Sequence, residues 1–468
     1  MEYPTHFDDN GEEYKYRCLV YPNITYQKDF TKDSYYIIMA NILKYLTKLR
    51  SDIFFTILTP EEMPGFQYKN TEQVIYDQPS YPNTMRCHFD TKRMLEIINY
   101  KKTDWDFVYT YLPEHTLQLK NLFYNRTDCR PVFFGYSAYI EIPETTKYSM
   151  SMMRTHLNGI LEMNTCGVNS QAVKDTIIKN AVGFLSTKQI TLLDEILKPL
   201  PRGWDNVEGQ RKEPSASKKT IVFNHRPNSY KSYNWFLRMM DKLWEQRQDF
   251  NVWVPLADKV DKVMGTKWDK KKKKMVETGI MVERKYISID KFNREGYFTE
   301  LSRCWVGVCG KSYHRGWANS ASDGMSVGTP YLFLDVDYYK QYAGDAGIYF
   351  DTDTDFLIKI NKILDDENHR KKYSKKSKNI ALKSTWEKTI NLYNEHFILA
   401  EDKLKMLRED TDSYKKIIKF INSRKCTTKN DLKTHLGWSV RITFSTYRNR
   451  LRNENKIKLT KQGYEVKE

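Results

Sequence analysis

The amino-acid sequence predicts an α/β protein with two similar domains followed by a small third one. The chain has 468 residues, which is too long for one ordinary hydrophobic core. Short apolar runs typical of buried strands alternate with amphipathic segments, first in residues 1–202 and again in residues 220–408. This alternation favours parallel sheets that carry helices on both faces. Residues 412–468 have a different pattern and a strong positive charge.

Residues 1–202 form the first predicted domain. Its expected elements are strands at residues 17–21, 53–58, 106–109, 131–134 and 159–163 and helices at residues 34–49 and 170–179. Most of the strand segments are rich in Val, Ile, Phe and Tyr, which pack well on a buried, pleated surface. Residues 203–219 have no apolar side chain between Val207 and Ala216, so we predict an interdomain linker there.

Residues 220–408 form the second predicted domain. Its expected elements are strands at residues 221–223, 251–255, 306–309 and 331–334 and helices at residues 233–246, 338–342 and 355–383. Residues 315–330 read RGWANSASDGMSVGTP, which predicts a loop, a short helix and a Gly-Thr-Pro stop. The first turn of that helix, Asn319 to Ser322, has small side chains, so a ligand can approach its backbone N–H groups. Those groups and the helix dipole favour phosphate.

The same segment resembles the nucleotide-sugar signature of retaining GT-B-fold glycosyltransferases that are similar to glycosyltransferase family 4, E-G-F-G-x-P-x-x-E-A-M-A-x-G-x-P. Five positions keep the pattern, namely Gly316, Trp317, Met325, Gly328 and Pro330. Asp323 stands at the second Glu of the signature, and Arg315 stands at the first. The resemblance implies that the donor is contacted by Ser312, Arg315, Gly316, Trp317, Ala318, Asn319, Ser320 and Asp323.

Three further segments resemble the same family. The strand at residues 221–223 is followed by Arg226 and, five residues later, by Lys231, the two cations that hold the donor diphosphate in the family. Residues 344–351 match a G-D-A-G-x-x-x-D strand start, and residues 384–386 match the start of the last long helix. The resemblance covers about residues 218–398 and implies two Rossmann-like domains that face a cleft.

The resemblance also suggests a chemical role for each candidate. Arg226 and Lys231 would stabilise the leaving diphosphate as the catalytic cations. Asp323 would accept hydrogen bonds from the donor ribose, although an acid in the first half of a helix is also explained by the helix dipole alone. Arg315 cannot accept hydrogen bonds as the family's Glu does, so it would contact phosphate or a different sugar. Tyr136, Glu141 and His156 are weaker candidates for acceptor contacts.

Two acidic segments, residues 335–337 and 351–355, contain the metal-binding pattern D-x-D of the other main glycosyltransferase fold. Acidic pairs are common in loops after strands, so we expect transfer without a metal. No cofactor is expected beyond the nucleotide-sugar co-substrate, which we take to be UDP-linked.

The C-terminal segment, residues 412–468, holds 15 Lys and Arg against 5 Asp and Glu, out of a net charge of +17 for the whole chain. After a short linker at residues 409–412, helices are expected at residues 414–421, 428–436 and 439–453, and a hairpin at residues 456–466. Three helices and a hairpin resemble the winged-helix module, with the third helix in the DNA major groove. The predicted DNA contacts are Arg441, Ser445, Thr446, Arg448, Asn449, Arg450, Arg452, Lys458 and Lys461. A solvated basic tail or a protein-binding module is the alternative.

Together these resemblances imply transfer of a sugar, with retention, from a nucleotide sugar to DNA that bears 5-hydroxymethylcytosine or 5-hydroxymethyluracil, as in bacteriophage DNA glucosyltransferases. One alternative is a transferase that acts on a surface glycan. Another is a DNA-binding protein with an inactive GT-B domain.

The sequence gives no sign of a membrane or secreted protein. No apolar run approaches 18 residues, and residues 1–10 are acidic and polar, so neither a membrane span nor a signal peptide is expected. The seven cysteines show no metal or disulfide spacing. We therefore expect a monomer in the cytoplasm, that of a bacterial host if the chain is phage-encoded, with DNA and a nucleotide sugar as partners.

Overall fold

The structure is a computed structural model, and it describes sixteen stretches of the chain. These are residues 6–7, 11–22, 24, 34–76, 90–99, 104–124, 130–137, 150–207, 212–214, 219–227, 231–259, 262–269, 274–311, 317–424, 457–460 and 463–466. The chain divides into two compact units, Met1–Phe397 and Ile398–Glu468. The first unit contains two parallel sheets, which confirms the predicted α/β class.

The first sheet is built from seven strands. After a short antiparallel pair, β1 (His6–Phe7) and β2 (Glu13–Tyr14), the strands are β3 (Tyr16–Tyr21), β4 (Ile53–Thr59), β5 (Thr71–Ile75), β6 (Phe107–Thr110), β7 (Val132–Tyr136), β8 (Cys166–Val168) and β9 (Leu197–Pro199). Their spatial order is β5-β4-β3-β6-β7-β8-β9, and every neighbouring pair is parallel. The order reverses between β3 and β6, the arrangement of a Rossmann-like sheet.

Six helices accompany this sheet: α1 (Ser34–Leu49), α2 (Thr91–Asn99), α3 (Pro113–Tyr124), α4 (Met150–Leu161), α5 (Gln171–Ala181) and α6 (Thr187–Ile196). The central strands β3, β4, β6 and β7 are buried along their whole length, as expected of a parallel sheet covered on both faces. On one face, the rings of Phe55, Phe107 and Phe134 pack around Phe397.

The predicted strand at residues 159–163 is wrong, because α4 runs to Leu161 and the strand follows at Cys166–Val168. The buried side chains of Met153, Leu157 and Ile160 recur at helical spacing. Gly159 lies so close to α3 that an added Cβ would sit 1.7 Å from the Pro113 carbonyl oxygen. The short apolar run at residues 159–163 is compatible with a strand or a helix, and the tight packing of α4 against α3 decides between them.

The second sheet also has the Rossmann order. Its strands are β10 (Lys219–Val222), β11 (Phe250–Trp253), β14 (Ile287–Ser288), β15 (Val306–Val308), β16 (Tyr331–Leu334) and β17 (Gly347–Phe350). They lie in the order β14-β11-β10-β15-β16-β17, all parallel, so the reversal falls between β10 and β15. A separate antiparallel pair, β12 (Lys262–Asp269) and β13 (Lys274–Glu283), was not predicted.

The helices of this domain are α7 (Tyr233–Gln246), α8 (Arg294–Arg303), α9 (Asn319–Val327), α10 (Asp337–Ala343), α11 (Asp353–Asp365) and α12 (Glu367–Lys383). The sequence predicts one helix over residues 355–383, whereas the structure has two. Asp366 separates them, and its side chain caps α12 by accepting a hydrogen bond from the His369 N–H at 2.9 Å. The last helix, α13 (Trp386–Arg424), begins where the resemblance implies.

Helix α13 continues without a break through residues 409–412, so the linker expected there is wrong. In the second unit, β18 (Ile457–Thr460) pairs with β19 (Gly463–Val466), which confirms the predicted hairpin. The two helices expected between residues 428 and 453 lie outside the described residues, so the winged-helix fold stays a prediction. In the part of the chain that the structure describes, no helix is both long and apolar enough to cross a membrane.

Candidate functional site

The candidate site lies where the second sheet reverses its strand order, at the carboxyl ends of β10 and β15. This is the place where open parallel sheets bind ligands. The segment after β15 and the residues that precede α7 approach closely here. A Cβ on Gly310 would lie 1.9 Å from the Lys231 carbonyl oxygen, so only glycine fits without a shift. The Ser232 hydroxyl donates to the Lys311 carbonyl oxygen at 2.6 Å.

Polar side chains fix the first turn of α9 against the end of β10. The Asn224 amide donates to the Ser320 carbonyl oxygen at 2.7 Å and to the Tyr297 hydroxyl at 2.9 Å. Its own carbonyl oxygen accepts a hydrogen bond from the Tyr331 hydroxyl at 2.9 Å. A second link joins the Ser320 hydroxyl and His225 Nδ1 at 2.6 Å. These hydrogen bonds therefore hold the segment at residues 224–226 at the start of α9.

His225 is buried, with 4% of its surface exposed. Burial, helped by the Lys231 ammonium, lowers the pKa of the His225 imidazole to about 3. The ring is therefore neutral near pH 7, and it supports the site without adding charge.

The start of α9 lacks a side-chain cap from its own N-cap residue. Its N-cap residue, Ala318, has no side chain that can cap the first-turn N–H groups. At the other end, Gly328 adopts a φ of 92° and closes the helix as a left-handed cap. An anion near Asn319 and Ser320 would meet both N–H donors and the positive end of the helix dipole.

The two predicted cations lie next to this turn. Arg226 is exposed and directly follows His225, whose ring contacts Ser320. Lys231 is half-buried, and its charge acts on both His225 and Cys309, at the ends of β10 and β15. The structure thus places Arg226 next in the chain to a residue that contacts α9 and Lys231 close to His225, while their role in diphosphate binding stays a prediction.

Asp323 lies one turn further along α9. It accepts hydrogen bonds from the Tyr297 hydroxyl at 3.2 Å and from Arg294 Nη2 at 3.4 Å. Arg294 also pairs with Asp205, at 2.7 Å, in the segment between the two sheets. Burial raises the pKa of Asp323 to about 6, although the Arg294 charge opposes this shift. The side chain keeps 19% of its surface exposed, so a ribose hydroxyl can still reach it.

Trp317, which was predicted to contact the donor, belongs to the hydrophobic core of the second domain. Its ring stacks between Trp204, at a centroid distance of 5.6 Å, and Tyr342, at 4.8 Å, with interplanar angles of 8° and 14°. Its indole N–H donates to the Ser322 hydroxyl at 2.5 Å. Both faces are covered and only 4% of the residue is exposed, so the ring offers almost no surface for a donor contact. Trp317 instead packs the interdomain segment onto the second domain. Three other predicted donor contacts, Ser312, Arg315 and Gly316, lie outside the described residues.

Comparison with known proteins shows which solved structures this chain resembles. No protein-family profile and no curated protein sequence matches the chain. Solved structures do match. Anabaena HepE in complex with UDP and glucose has a TM-score of 0.57 at 10% identity, over 82% of this chain and 99% of that chain. Sucrose-phosphate synthase from Thermosynechococcus elongatus gives 0.55 at 11% identity, over 82% and 99%. The trehalose-6-phosphate synthase OtsA gives 0.55 at 10%, over 81% and 98%.

The chain has a GT-B fold. At these identities the similarity shows the fold alone. Together with the two Rossmann-ordered sheets, it agrees with the fold that the motif resemblance implied.

In the first GT-B domain, burial argues against two of the three expected acceptor contacts, Tyr136 and His156. Tyr136 is fully buried: its ring stacks on Tyr111 and its hydroxyl donates to Asn169 Oδ1 at 2.6 Å. His156 is 2% exposed, with Nε2 2.9 Å from the Ser137 hydroxyl and Nδ1 3.1 Å from Glu114 Oε2. These contacts link α3 and α4 to the end of β7. Glu141 lies outside the described residues.

Sequence reasoning missed Arg202, which belongs to the segment between β9 and the second domain. Its Nη1 lies 3.4 Å from Asn319 Oδ1, at the start of α9, and its guanidinium lies 5.3 Å from the Tyr136 ring centroid. It lies at the predicted end of the first domain, next to the predicted linker, and nothing in the neighbouring sequence reveals which turn it contacts.

Three aspartates of the acidic segments contact side chains of the same chain. Asp335 pairs with Lys340, Asp353 accepts from the Trp235 indole at 2.9 Å, and Asp355 pairs with Lys359 at 2.7 Å. Across the described ranges, no group of three or more His, Cys, Asp or Glu side chains is arranged to hold a metal ion.

Of the predicted DNA contacts, the described residues include only Lys458, on β18 opposite Glu465. The other eight lie outside them, namely Arg441, Ser445, Thr446, Arg448, Asn449, Arg450, Arg452 and Lys461.

Proposed function

We propose that this chain is a glycosyltransferase that moves a sugar from a UDP-linked donor, with retention and without a metal. The observation that carries the proposal is the first turn of α9, which its N-cap residue Ala318 cannot cap. Asn224 and His225, close in sequence to Arg226 and Lys231, hold this turn at the strand-order reversal of a GT-B fold. HepE, which shares the fold, was solved in complex with UDP and with UDP-glucose. That complex supports a nucleotide diphosphate as the ligand class.

The residues around α9 match the needs of the donor. The diphosphate gains negative charge as the glycosidic bond breaks, and charge-assisted donors stabilise that charge more than they stabilise the bound donor. The N–H groups of the first turn, with Arg226 and Lys231, would supply this stabilisation. Asp323, one turn along, would take the ribose hydroxyls. With two cations at the leaving group, no metal is needed to neutralise it.

We place the acceptor on DNA that carries a 5-hydroxymethylated pyrimidine. The support is the surplus of basic residues in residues 412–468 together with the hairpin β18–β19, both expected of a DNA-binding module. The hydroxymethyl group lies in the major groove, and extrusion of the base would bring it to a cleft. A saccharide acceptor is the rival, because two proteins of the same fold are named as synthases of sugar phosphates.

The test offers the purified chain a panel of UDP-sugars with duplexes that contain cytosine, 5-hydroxymethylcytosine or 5-hydroxymethyluracil. Digested nucleosides are then analysed by mass spectrometry. A hexose mass added only to a hydroxymethylated nucleoside supports the full proposal. Release of UDP with a saccharide acceptor, and none with DNA, keeps the donor half and replaces the acceptor. No UDP release from any donor, with or without acceptor, would reject the enzyme assignment.

A further inference from the structure

Arg202 lacks a described hydrogen-bond partner at one of its nitrogens. Among the residues that the structure describes, its buried Nε has no hydrogen-bond partner. Its described contacts are the Asn319 amide oxygen, at 3.4 Å, and the face of the Tyr136 ring, both of them neutral. Within the described ranges, no carboxylate pairs with this guanidinium. A partly buried cation without a counter-charge is costly, and the cost is removed when an anion binds beside it.

The backbone around Arg202 is held firmly. The Trp204 N–H donates to the Ser384 carbonyl oxygen at 2.8 Å, and the Trp386 N–H donates back to the Trp204 carbonyl oxygen at 3.3 Å. Gly203 packs against Trp386 so closely that an added Cβ would lie 2.5 Å from its Cα. The Trp204 ring, stacked on Trp317, adds a further restraint. Arg202 is therefore presented in a fixed position, and little reorganisation is needed when a ligand arrives.

Its position coincides with the candidate site. Asn319, which Arg202 contacts, is the first residue of α9, and the next residue, Ser320, contacts the residues that precede Arg226. Arg202 thus contacts the helix turn that also meets Asn224 and His225, the two residues directly before Arg226. The N-cap residue of that turn, Ala318, has no side chain that could cap its N–H groups.

We propose that Arg202 is a third cation of the donor site, which contacts the diphosphate of the nucleotide sugar from the interdomain segment. The inference rests on the proposed function for the identity of the anion. A guanidinium donates two parallel hydrogen bonds to a phosphate, so Arg202 clamps the diphosphate against α9. Because the residue belongs to the segment that joins the two domains, donor binding also ties that segment to α9.

The experiment compares the full chain with Arg202→Gln and Arg202→Lys. Arg238→Gln is the matched control, because Arg238 is exposed on α7. Calorimetry measures the affinity for UDP, ADP, inorganic pyrophosphate and uridine, and thermal unfolding is followed with and without UDP. Loss of a charge-assisted contact weakens UDP binding about ten- to a hundredfold in Arg202→Gln. The affinity for uridine and the UDP affinity of the control remain unchanged. The UDP affinity of Arg202→Lys lies between those of the wild type and Arg202→Gln, because Lys keeps the charge but cannot donate two parallel hydrogen bonds.

Thermal unfolding separates this role from a structural one. Removing an uncompensated cation leaves the melting temperature without UDP equal to that of the wild type or higher, while the rise on adding UDP becomes smaller. A lower melting temperature without UDP, together with unchanged UDP affinity, overturns the inference and leaves the proposed function intact. Arg202-dependent binding of all diphosphates, with no UDP preference and no transfer, supports the inference and rejects the proposed function. A wild-type chain that binds none of the diphosphates overturns both.

Discussion

Replacing Lys231 with Met removes one cation of the donor site while keeping the length of the side chain. Lys231 is half-buried beside the ends of β10 and β15, where its charge lowers the pKa of His225. If its ammonium contacts the leaving diphosphate, the loss of one such transition-state contact costs about 3–4 kcal/mol, or about a hundredfold to a thousandfold in turnover. Binding of UDP in the ground state weakens less, because the charge grows only as the bond breaks.

The assay measures UDP release from the donor and UDP affinity in the wild type, Lys231→Met and Lys242→Met. Lys242 is exposed on α7 and serves as the control. A second readout is the His225 pKa by NMR, which rises in Lys231→Met because a neighbouring positive charge is gone. Burial, the larger cause, keeps it below the usual value. A raised His225 pKa with wild-type turnover would show that the charge is present at the site but does not serve the reaction.

Three other predictions address stability and DNA binding. Buried His225, whose pKa is lowered to about 3, binds a proton more readily in the unfolded chain, so stability is full above pH 6.5 and falls on acidification. Urea unfolding between pH 6.5 and 4 should show that the unfolding free energy of His225→Gln depends on pH less steeply than that of the wild type, by about 1 kcal/mol per pH unit. Equal slopes in the two proteins would contradict a neutral buried ring. Trp317→Ala should cost about 3–5 kcal/mol in unfolding free energy and Trp317→Phe clearly less, whereas a ligand-only role predicts wild-type stability. Deleting residues 425–468 should lower duplex DNA affinity and flatten its dependence on salt while UDP release persists; identical salt slopes would favour a saccharide acceptor.

Much of the local structure follows from short-range signals in the sequence. Helix α7 and strand β16 have the predicted bounds, Tyr233–Gln246 and Tyr331–Leu334, because apolar spacing and flanking residues mark them within a few positions. Short or divided elements were less clear. Asp366 looks like one more polar helix residue until its cap is seen, and the close packing of Gly159 against Pro113 in α3 is a contact between distant residues that no local pattern shows.

The sequence by itself determined the α/β class, the short helix that begins at Asn319 and the basic C-terminal segment, since each depends on neighbouring residues or on composition. Tertiary structure alone decided which candidate side chains are accessible. Trp317 and His156 have suitable chemistry, yet chain segments far away in sequence cover them. No local sequence pattern marked Arg202 as a site residue, and its side chain reaches a turn 117 residues away. Burial and long-range contact arise from packing between segments, and that packing is not encoded in any short stretch of the chain.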